Sequence, residues 1–145
     1  EKMAVKIGGG ENHRMGLFDM IMLKDNHIDF AGGIIQAIQK ADQYRKKIKP
    51  DLKIEIETRN LEEIEKVLSV GNVNRIMLDN FSINETKKAV DLINGRFETE
   101  SSGGITLETV RSYAECGVDF ISVGALTHQI SSLDISLKAD YQKNQ

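Results

Sequence analysis

The stretch KIEIETRNLEEIEKVLSVGNVNRIMLDNFS, residues 53–82, decides the fold. Its first five residues alternate charged and apolar side chains, and a second apolar run follows at residues 75–78. Between these runs, Asn60 and Glu63 stand three residues apart ahead of an amphipathic segment, which is the spacing of a capping box at a helix start. A glycine ends the segment. The pattern predicts a strand, a helix and a second strand.

The same alternation of apolar runs and amphipathic segments extends along the chain in both directions. Helices are predicted between Gly32 and Ile48, from a second capping box at Ser82 and Glu85, and from Thr106. From the run at residues 53–57 onward, the apolar runs recur about every 22 residues. The predicted strands are 20–23, 53–57, 75–78, 97–100 and 120–123.

Regular alternation of strands and helices predicts a parallel sheet with right-handed crossovers. Five strands, with a possible sixth at 133–137, are too few for the eight strands of a complete barrel. We therefore interpret the chain as an α/β protein with an incomplete or open parallel α/β barrel of the TIM type. An open doubly wound sheet is the second interpretation. Residues 1–137 would form part of the barrel, and residues 138–145 a polar tail.

Composition narrows the classes of function. The chain has 145 residues, 40% of them hydrophobic and 28% charged, with a formal net charge of -3. The sequence contains no basic block of the kind that binds nucleic acid and no apolar run of about 20 residues that would span a bilayer. Cys116 is the single cysteine, so an intrachain disulfide is excluded and a reducing compartment is favoured. These features predict a cytoplasmic protein with no nucleic-acid or membrane partner.

Acidic residues inside the predicted strands are the first chemical signal. Glu55 and Glu57 lie two apart and so share one face of a strand, Asp79 ends the next strand, and Glu98 and Glu100 repeat the pattern on the following one. Because barrels place their sites at the carboxyl ends of strands, such acids could hold Mg²⁺ through oxygen ligands. An edge strand with a solvated acidic face would show the same pattern, and the spacing alone leaves both interpretations open.

Two glycine-containing turns follow the last two predicted strands. The first is formed by residues 101–104 and the second by residues 124–127. Glycines at such turns expose backbone N–H groups, and a helix that starts after the turn adds positive potential. Barrels often bind phosphate at this position in consecutive units, so we predict a phosphate site. Two ordinary tight turns are the alternative.

Basic residues near the amino terminus form the third signal. His13 and Arg14 follow three consecutive glycines at 8–10, and Lys24 ends the first predicted strand. His13 and Arg14 could hold a carboxylate, with the guanidinium binding both oxygens. Lys24 could bind an anion or form a Schiff base. A flexible solvated loop and a solvated surface charge are the corresponding alternatives.

Seven blocks of the chain match a known family in order and at similar intervals. The sequence resembles quinolinate phosphoribosyltransferases over nearly its whole length, apart from the tail. The matching motifs are AV with GGG at 4–10, NHRMGL at 12–17, LKDNHI at 23–28, IEIE at 54–57, MLDN at 77–80, ESSGGI at 100–105 and VGALTH at 123–128.

The resemblance implies a reaction, a fold and a set of site residues. The family joins quinolinate to 5-phosphoribosyl 1-pyrophosphate and releases pyrophosphate and carbon dioxide, giving nicotinate mononucleotide for NAD biosynthesis. By this resemblance, His13, Arg14 and Lys24 bind the two quinolinate carboxylates. Glu57 and Asp79 bind Mg²⁺ and the ribose pyrophosphate, and they form the catalytic group together with Lys24. The residues assigned to the phosphate end are Ser102, Gly103, Gly104, Gly124 and His128.

The chain also departs from the family pattern. The family carries a Thr-Arg-Lys-Thr segment before the triple glycine and an amino-terminal α/β sandwich domain, which lends an arginine to the partner's site in dimers. Neither is present in this sequence. We therefore expect little turnover from this chain alone and a homodimer, or a multiple of dimers, for the full-length enzyme. The alternatives are a paralogous barrel of the molybdenum-transport type and a noncatalytic barrel that binds phosphate ligands.

Overall fold

A computed structural model describes residues 1–129 and 131–139 of the chain. In this part, five strands form one parallel sheet in the order β1-β2-β3-β4-β5. The strands are β1 Met20–Leu23, β2 Lys53–Thr58, β3 Arg75–Asp79, β4 Glu98–Ser102 and β5 Phe120–Ile121. The helices are α1 Lys2–Ile7, α2 Asp25–Ala31, α3 Ile34–Ile48, α4 Leu61–Val70, α5 Ile83–Ile93, α6 Val110–Ala114 and α7 Ala125–His128.

The order of the strands distinguishes a barrel from a doubly wound sheet. Each strand after β1 pairs with the one that precedes it in sequence. Helices α2 to α5 each contact the next helix along the chain. A doubly wound sheet would reverse its strand order at a switch point and carry helices on both faces. The interpretation as part of a parallel α/β barrel is confirmed, and the doubly wound sheet is wrong.

The two faces of the sheet differ in chemistry. Toward the helices, β2 and β3 present Ile54, Ile56, Ile76 and Leu78, all buried in a single apolar cluster with residues of α3, α4 and α5. Burying each such side chain contributes about 1.5–3 kcal/mol. The opposite face carries the alternate residues of the same strands, and many of these are charged. We call it the cleft face.

Both predicted capping boxes are present, one completely and the other in part. Ser82 and Glu85 form the full reciprocal box at the start of α5. At α4, the Asn60 side chain accepts from the Glu63 backbone N–H at 3.0 Å. The Glu63 carboxylate, however, accepts from the backbone N–H of Arg59 rather than that of Asn60. The second half of that predicted box is therefore shifted by one residue.

Several predicted boundaries were wrong. The helix expected from Thr106 begins at Val110, after three turn residues at 107–109. The fourth strand lies at 98–102 rather than 97–100, and the fifth keeps only two residues. Three short helices, α1, α2 and α7, were not predicted.

The end of the chain differs from its prediction as well. Residues 133–137 form no strand, and residues 131–139 are exposed and lie in no helix or strand. The predicted domain boundary at residue 137 stays a prediction. Most of the predicted polar tail, residues 140–145, lies outside the described residues.

Candidate functional site

The carboxyl ends of the strands open onto a cleft of about 1130 Å³. Nine of the ten predicted site residues line this cleft, although they come from widely separated parts of the chain. All ten lie in the described ranges, and Asp79 is the one that does not line the cleft. The nine are His13, Arg14, Lys24, Glu57, Ser102, Gly103, Gly104, Gly124 and His128.

Lys24 and Glu57 meet at the ends of neighbouring strands. Strand pairing sets Leu23 opposite Ile56, so the residues that follow each of them are also neighbours. The Lys24 ammonium lies 3.3 Å from Glu57 Oε1, and the lysine side chain is 49% exposed. His27 Nδ1 accepts the backbone N–H of Lys24 at 3.0 Å and holds the start of α2. Since an exposed ion pair of this kind contributes at most about 1 kcal/mol, Lys24 can turn toward an anionic ligand.

Asp79 is held by its neighbour Asn80. The Asn80 side-chain amide donates to Asp79 Oδ2 at 2.8 Å, while its backbone N–H donates to the Ser102 carbonyl at 2.9 Å. Asn80 has a left-handed backbone, with φ of 57°. Asp79 pairs with Ser102 across β3 and β4, so its carboxylate sits at the same strand ends as the glycine turn.

Gly103 has no room for a side chain. Its φ is +92°, and an added Cβ would stand 2.2 Å from Asn80 Oδ1 and 2.9 Å from the Asn80 backbone nitrogen. The backbone of the turn therefore approaches Asn80 more closely than any other residue type would allow. The turn after β4 and the loop after β3 are packed as one unit.

The two glycine turns line the cleft. Gly103 and Gly104 both have positive φ values, and Gly124 precedes α7. Helix α7 has four residues, and α6 starts six residues after Gly104. The expectation that a helix begins directly after the first turn was therefore wrong. Any anion bound there would depend on successive N–H groups of the turns themselves, as in backbone nests.

A cluster of charges is buried beneath the cleft face. The side chains of Glu55 and Glu100 are 0% and 1% exposed, and that of Arg75 is 12% exposed. Arg75 Nη1 donates to Glu100 Oε2 at 2.6 Å and lies 4.0 Å from Glu55 Oε2, while its Nη2 lies 3.1 Å from the Glu98 carboxylate. The guanidinium also stacks 3.7 Å from the centre of the Phe120 ring. Buried charges need such partners, because an unpaired charge in the interior is costly.

His13 completes this charge cluster. Its Nε2 lies 2.9 Å from Glu55 Oε2 and 3.5 Å from Glu100 Oε1, and its side chain is 26% exposed. The hydrogen bond to Glu55 raises the pKa of His13 above its usual value, and burial opposes the rise. Ser122 donates a hydrogen bond to Glu100. In the described ranges, His13, Glu55 and Glu100 are the group of acids and histidines close enough to share a metal ion, but Arg75 already binds the same carboxylates.

Sequence reasoning missed Arg75, Phe120, Ser122 and Asn80. Alternation along β3 puts Arg75 on the same face as Asp79, which was the one signal in the sequence. Its place between Glu55 and Glu98 follows only from the observed register. The predicted metal residues Glu57 and Asp79 belong to no three-ligand group among the residues that the structure describes. Their assigned roles, like those of the other predicted site residues, stay predictions.

A protein-family model described as the quinolinate phosphoribosyl transferase C-terminal domain matches residues 1–138. The chain belongs to this family. It is 53% identical to a chloroplastic nicotinate-nucleotide pyrophosphorylase [carboxylating] of Arabidopsis thaliana, over 97% of this chain and 44% of the relative. It is 51% identical to a mitochondrial quinolinate phosphoribosyltransferase [decarboxylating], 2b, of Nicotiana tabacum, with the same coverage. Among solved structures, NadC from Streptococcus pyogenes superimposes with a TM-score of 0.86 at 41% identity, covering 95% of this chain and 47% of that one.

The chain thus spans less than half the length of these relatives. Within residues 1–129 and 131–139, no helix has both the length and the apolar character that crossing a bilayer requires. The relatives from Arabidopsis and tobacco are chloroplastic and mitochondrial. The predicted cytoplasmic location therefore stays a prediction.

Proposed function

We propose that this chain is the catalytic portion of a quinolinate phosphoribosyltransferase. The complete enzyme would transfer a phosphoribosyl group from 5-phosphoribosyl 1-pyrophosphate to quinolinate, with loss of pyrophosphate and carbon dioxide. One observation carries the proposal: a single cleft is lined by three basic residues, the Glu57 carboxylate and two glycine turns, which come from five separate segments of the chain. That combination suits a substrate pair made of a dicarboxylate and a sugar phosphate.

The basic residues suit the dicarboxylate. Quinolinate carries two negative charges, and His13, Arg14 and Lys24 line the same cleft. An arginine can bind both oxygens of a carboxylate, whereas a lysine acts as a point charge. These three residues would orient the pyridine ring so that its nitrogen faces the ribose carbon.

The carboxylates and turns suit the sugar phosphate. Mg²⁺ usually binds proteins through one or two carboxylates and completes its shell with water and substrate phosphates, so Glu57 and Asp79 are a sufficient donor set. Their oxygen atoms lie at the ends of neighbouring strands, and the Asp79 carboxylate is oriented by Asn80. When bound, Mg²⁺ would offset the charge of the leaving pyrophosphate. Carboxylates near the ribose would also favour the positive charge that develops there.

The backbone N–H groups at Gly103, Gly104 and Gly124, with Ser102 and His128 beside them, would hold the phosphate.

Decarboxylation then needs little from the protein. Once the ring nitrogen bears the ribose, its positive charge stabilises the carbanion left when the 2-carboxylate departs as carbon dioxide, and that carbon then takes up a proton from water. No covalent enzyme intermediate is required, so the part played by Lys24 is electrostatic. By the resemblance to the family, we also propose that the complete enzyme is a homodimer or a multiple of dimers.

The test is a turnover assay on a full-length enzyme that carries this chain as its catalytic part. We expect Mg²⁺-dependent loss of quinolinate in the presence of 5-phosphoribosyl 1-pyrophosphate, and a weaker affinity for quinolinate, by about tenfold or more, in Lys24→Ala. Lys66→Ala, on the outer surface at α4, is the matched control and should behave as wild type. Undiminished quinolinate affinity in Lys24→Ala would contradict the assigned role. Nicotinate binding as tightly as quinolinate would instead favour a paralogous barrel with another substrate.

A further inference from the structure

We propose that the buried carboxylates of Glu55 and Glu100, clamped by Arg75, are positioning residues that fix the His13 ring and keep it cationic toward the ligand in the cleft. The sequence offered Glu55 and Glu100 only as candidate Mg²⁺ ligands and gave Arg75 no role. The inference rests on the proposed function in one respect: it takes the ligand at His13 to be a dicarboxylate such as quinolinate.

The geometry orients the imidazole ring. Nε2 of His13 faces the two acids, at 2.9 Å from Glu55 and 3.5 Å from Glu100. The two N–H vectors of an imidazolium ring diverge, so Nδ1 points away from the acid pair. His13 itself lines the cleft, and no hydrogen-bond partner of Nδ1 occurs in the described part of the chain. One ring nitrogen is therefore held by the protein, while the other remains available to an anion.

Charge balance favours a proton on His13. Glu55 and Glu100 lie fully buried, and Arg75, the arginine that contacts them in the described residues, is hydrogen-bonded to Glu100. Arg75 also binds Glu98, which is more exposed and faces Lys53 at 3.9 Å. This leaves one unbalanced negative charge beneath the cleft face, and protonated His13 would neutralise it. Glu55 Oε1 is also buried without a hydrogen-bond partner in the described residues, so that carboxylate depends strongly on its contact with His13. An uncompensated buried carboxylate is costly, which makes the doubly protonated imidazole the favoured state.

The groups that face His13 come from three adjacent strands. Glu55 on β2 and Glu100 on β4 raise the pKa of His13, and Arg75 on β3, like burial itself, lowers it. The hydrogen bond to Glu55 is the largest of these influences. Substituting Glu55 should therefore change the charge of His13 at neutral pH more than substituting any other neighbour.

The consequence concerns ligand binding. A neutral imidazole offers an anion at most a weak hydrogen bond, whereas an imidazolium adds a charge-assisted one. With His13 cationic, three positive groups would face the two carboxylates of the ligand. Quinolinate affinity should then decline as pH rises through the raised pKa of His13, and the position of this decline should depend on Glu55.

The experiment uses a full-length enzyme that carries this chain and measures the His13 pKa by NMR titration in wild type and in Glu55→Gln, with His27 and His128 as internal references. Quinolinate affinity is measured by calorimetry across the same pH range. We expect Glu55→Gln to lower the His13 pKa and to weaken quinolinate binding by about tenfold near pH 7.5. Lowering the pH should restore much of the affinity, which a merely structural defect would not allow.

Glu63→Gln is the matched control, because Glu63 is also a buried glutamate bound to an arginine, but on the helix side of the sheet. It should leave both the His13 pKa and the pH profile of binding unchanged. If Glu55→Gln does not fold, Glu100→Gln is the second variant, with a smaller change in the same direction. An unchanged His13 pKa in a folded variant of either residue overturns the proposal. If wild type binds no quinolinate while the His13 pKa still depends on Glu55, the positioning network stands and the proposed function fails.

Discussion

The two faces of the parallel sheet are both buried, but for opposite reasons. On the helix face, isoleucine and leucine side chains of β2 and β3 leave water because they are apolar. On the cleft face, glutamate and arginine side chains of the same strands are buried only because they neutralise one another. A buried ion pair rarely stabilises a protein more than well-packed apolar residues would. The comparison indicates that the helix face stabilises the fold, whereas the charged residues of the cleft face lower stability but position side chains for a site.

Arg75 and Ile76 make this comparison testable, because they are consecutive residues on opposite faces of β3. Arg75→Met should give the largest loss of stability, about 3–5 kcal/mol at pH 7.5, since it leaves Glu55 and Glu100 without their cation. Urea unfolding measures the loss. Arg75→Lys, which keeps a cation beside the two carboxylates, should lose less stability than Arg75→Met. Equal losses in the two variants would mean that Arg75 acts by packing alone.

Ile76→Ala tests the helix face. Ile76 is fully buried in the apolar cluster, and removing such a side chain costs about 2–5 kcal/mol through lost transfer energy and the cavity left behind. Urea unfolding at pH 7.5 measures the loss of stability. Ligand affinity, measured by calorimetry in the folded fraction, should stay within about twofold of wild type. A marked loss of affinity would show that the two faces are not independent.

Gly103→Ala tests the turn at the cleft rim. The positive φ and the approach to Asn80 should together cost about 1–3 kcal/mol in the free energy of unfolding. Because Asn80 must move, the orientation of Asp79 should change too, and affinity for 5-phosphoribosyl 1-pyrophosphate should fall more than affinity for quinolinate. Gly95→Ala, at a helix end with positive φ and open space around it, is the control for backbone strain alone. Equal effects of the two substitutions on ligand binding would contradict the role of the contact.

The smallest expected effect is the pH dependence that His13 gives to stability. Its pKa is raised in the folded state, so its contribution is complete below the ordinary histidine pKa of about 6.5 and is lost as pH rises through the raised value. The free energies of unfolding of wild type and His13→Gln, measured by urea titration, should differ most near pH 6 and converge at higher pH. The largest difference should be on the order of 1 kcal/mol. Divergence with rising pH would have the wrong sign for this explanation.

Local chemistry accounts for most of what could be predicted. The capping box at Ser82, the glycine stops and the alternation of residues 53–57 located strands and helices to within a few residues. Local signals failed where the outcome depends on distant partners. The helix expected from Thr106 starts four residues later, and the apolar residues at 133–137 form no strand.

By itself, the sequence determined the period of the fold, the parallel sheet and the types of residue at the strand ends, because these depend on neighbours within a few positions of the chain. Only the tertiary structure decided which charges meet. Arg75 looks like a solvated strand end until the register sets it between Glu55 and Glu98, and His13 looks like a loop residue until it contacts Glu55, 42 positions away. Electrostatic pairing depends on distance in space, and distance in space follows from packing rather than from spacing in the chain.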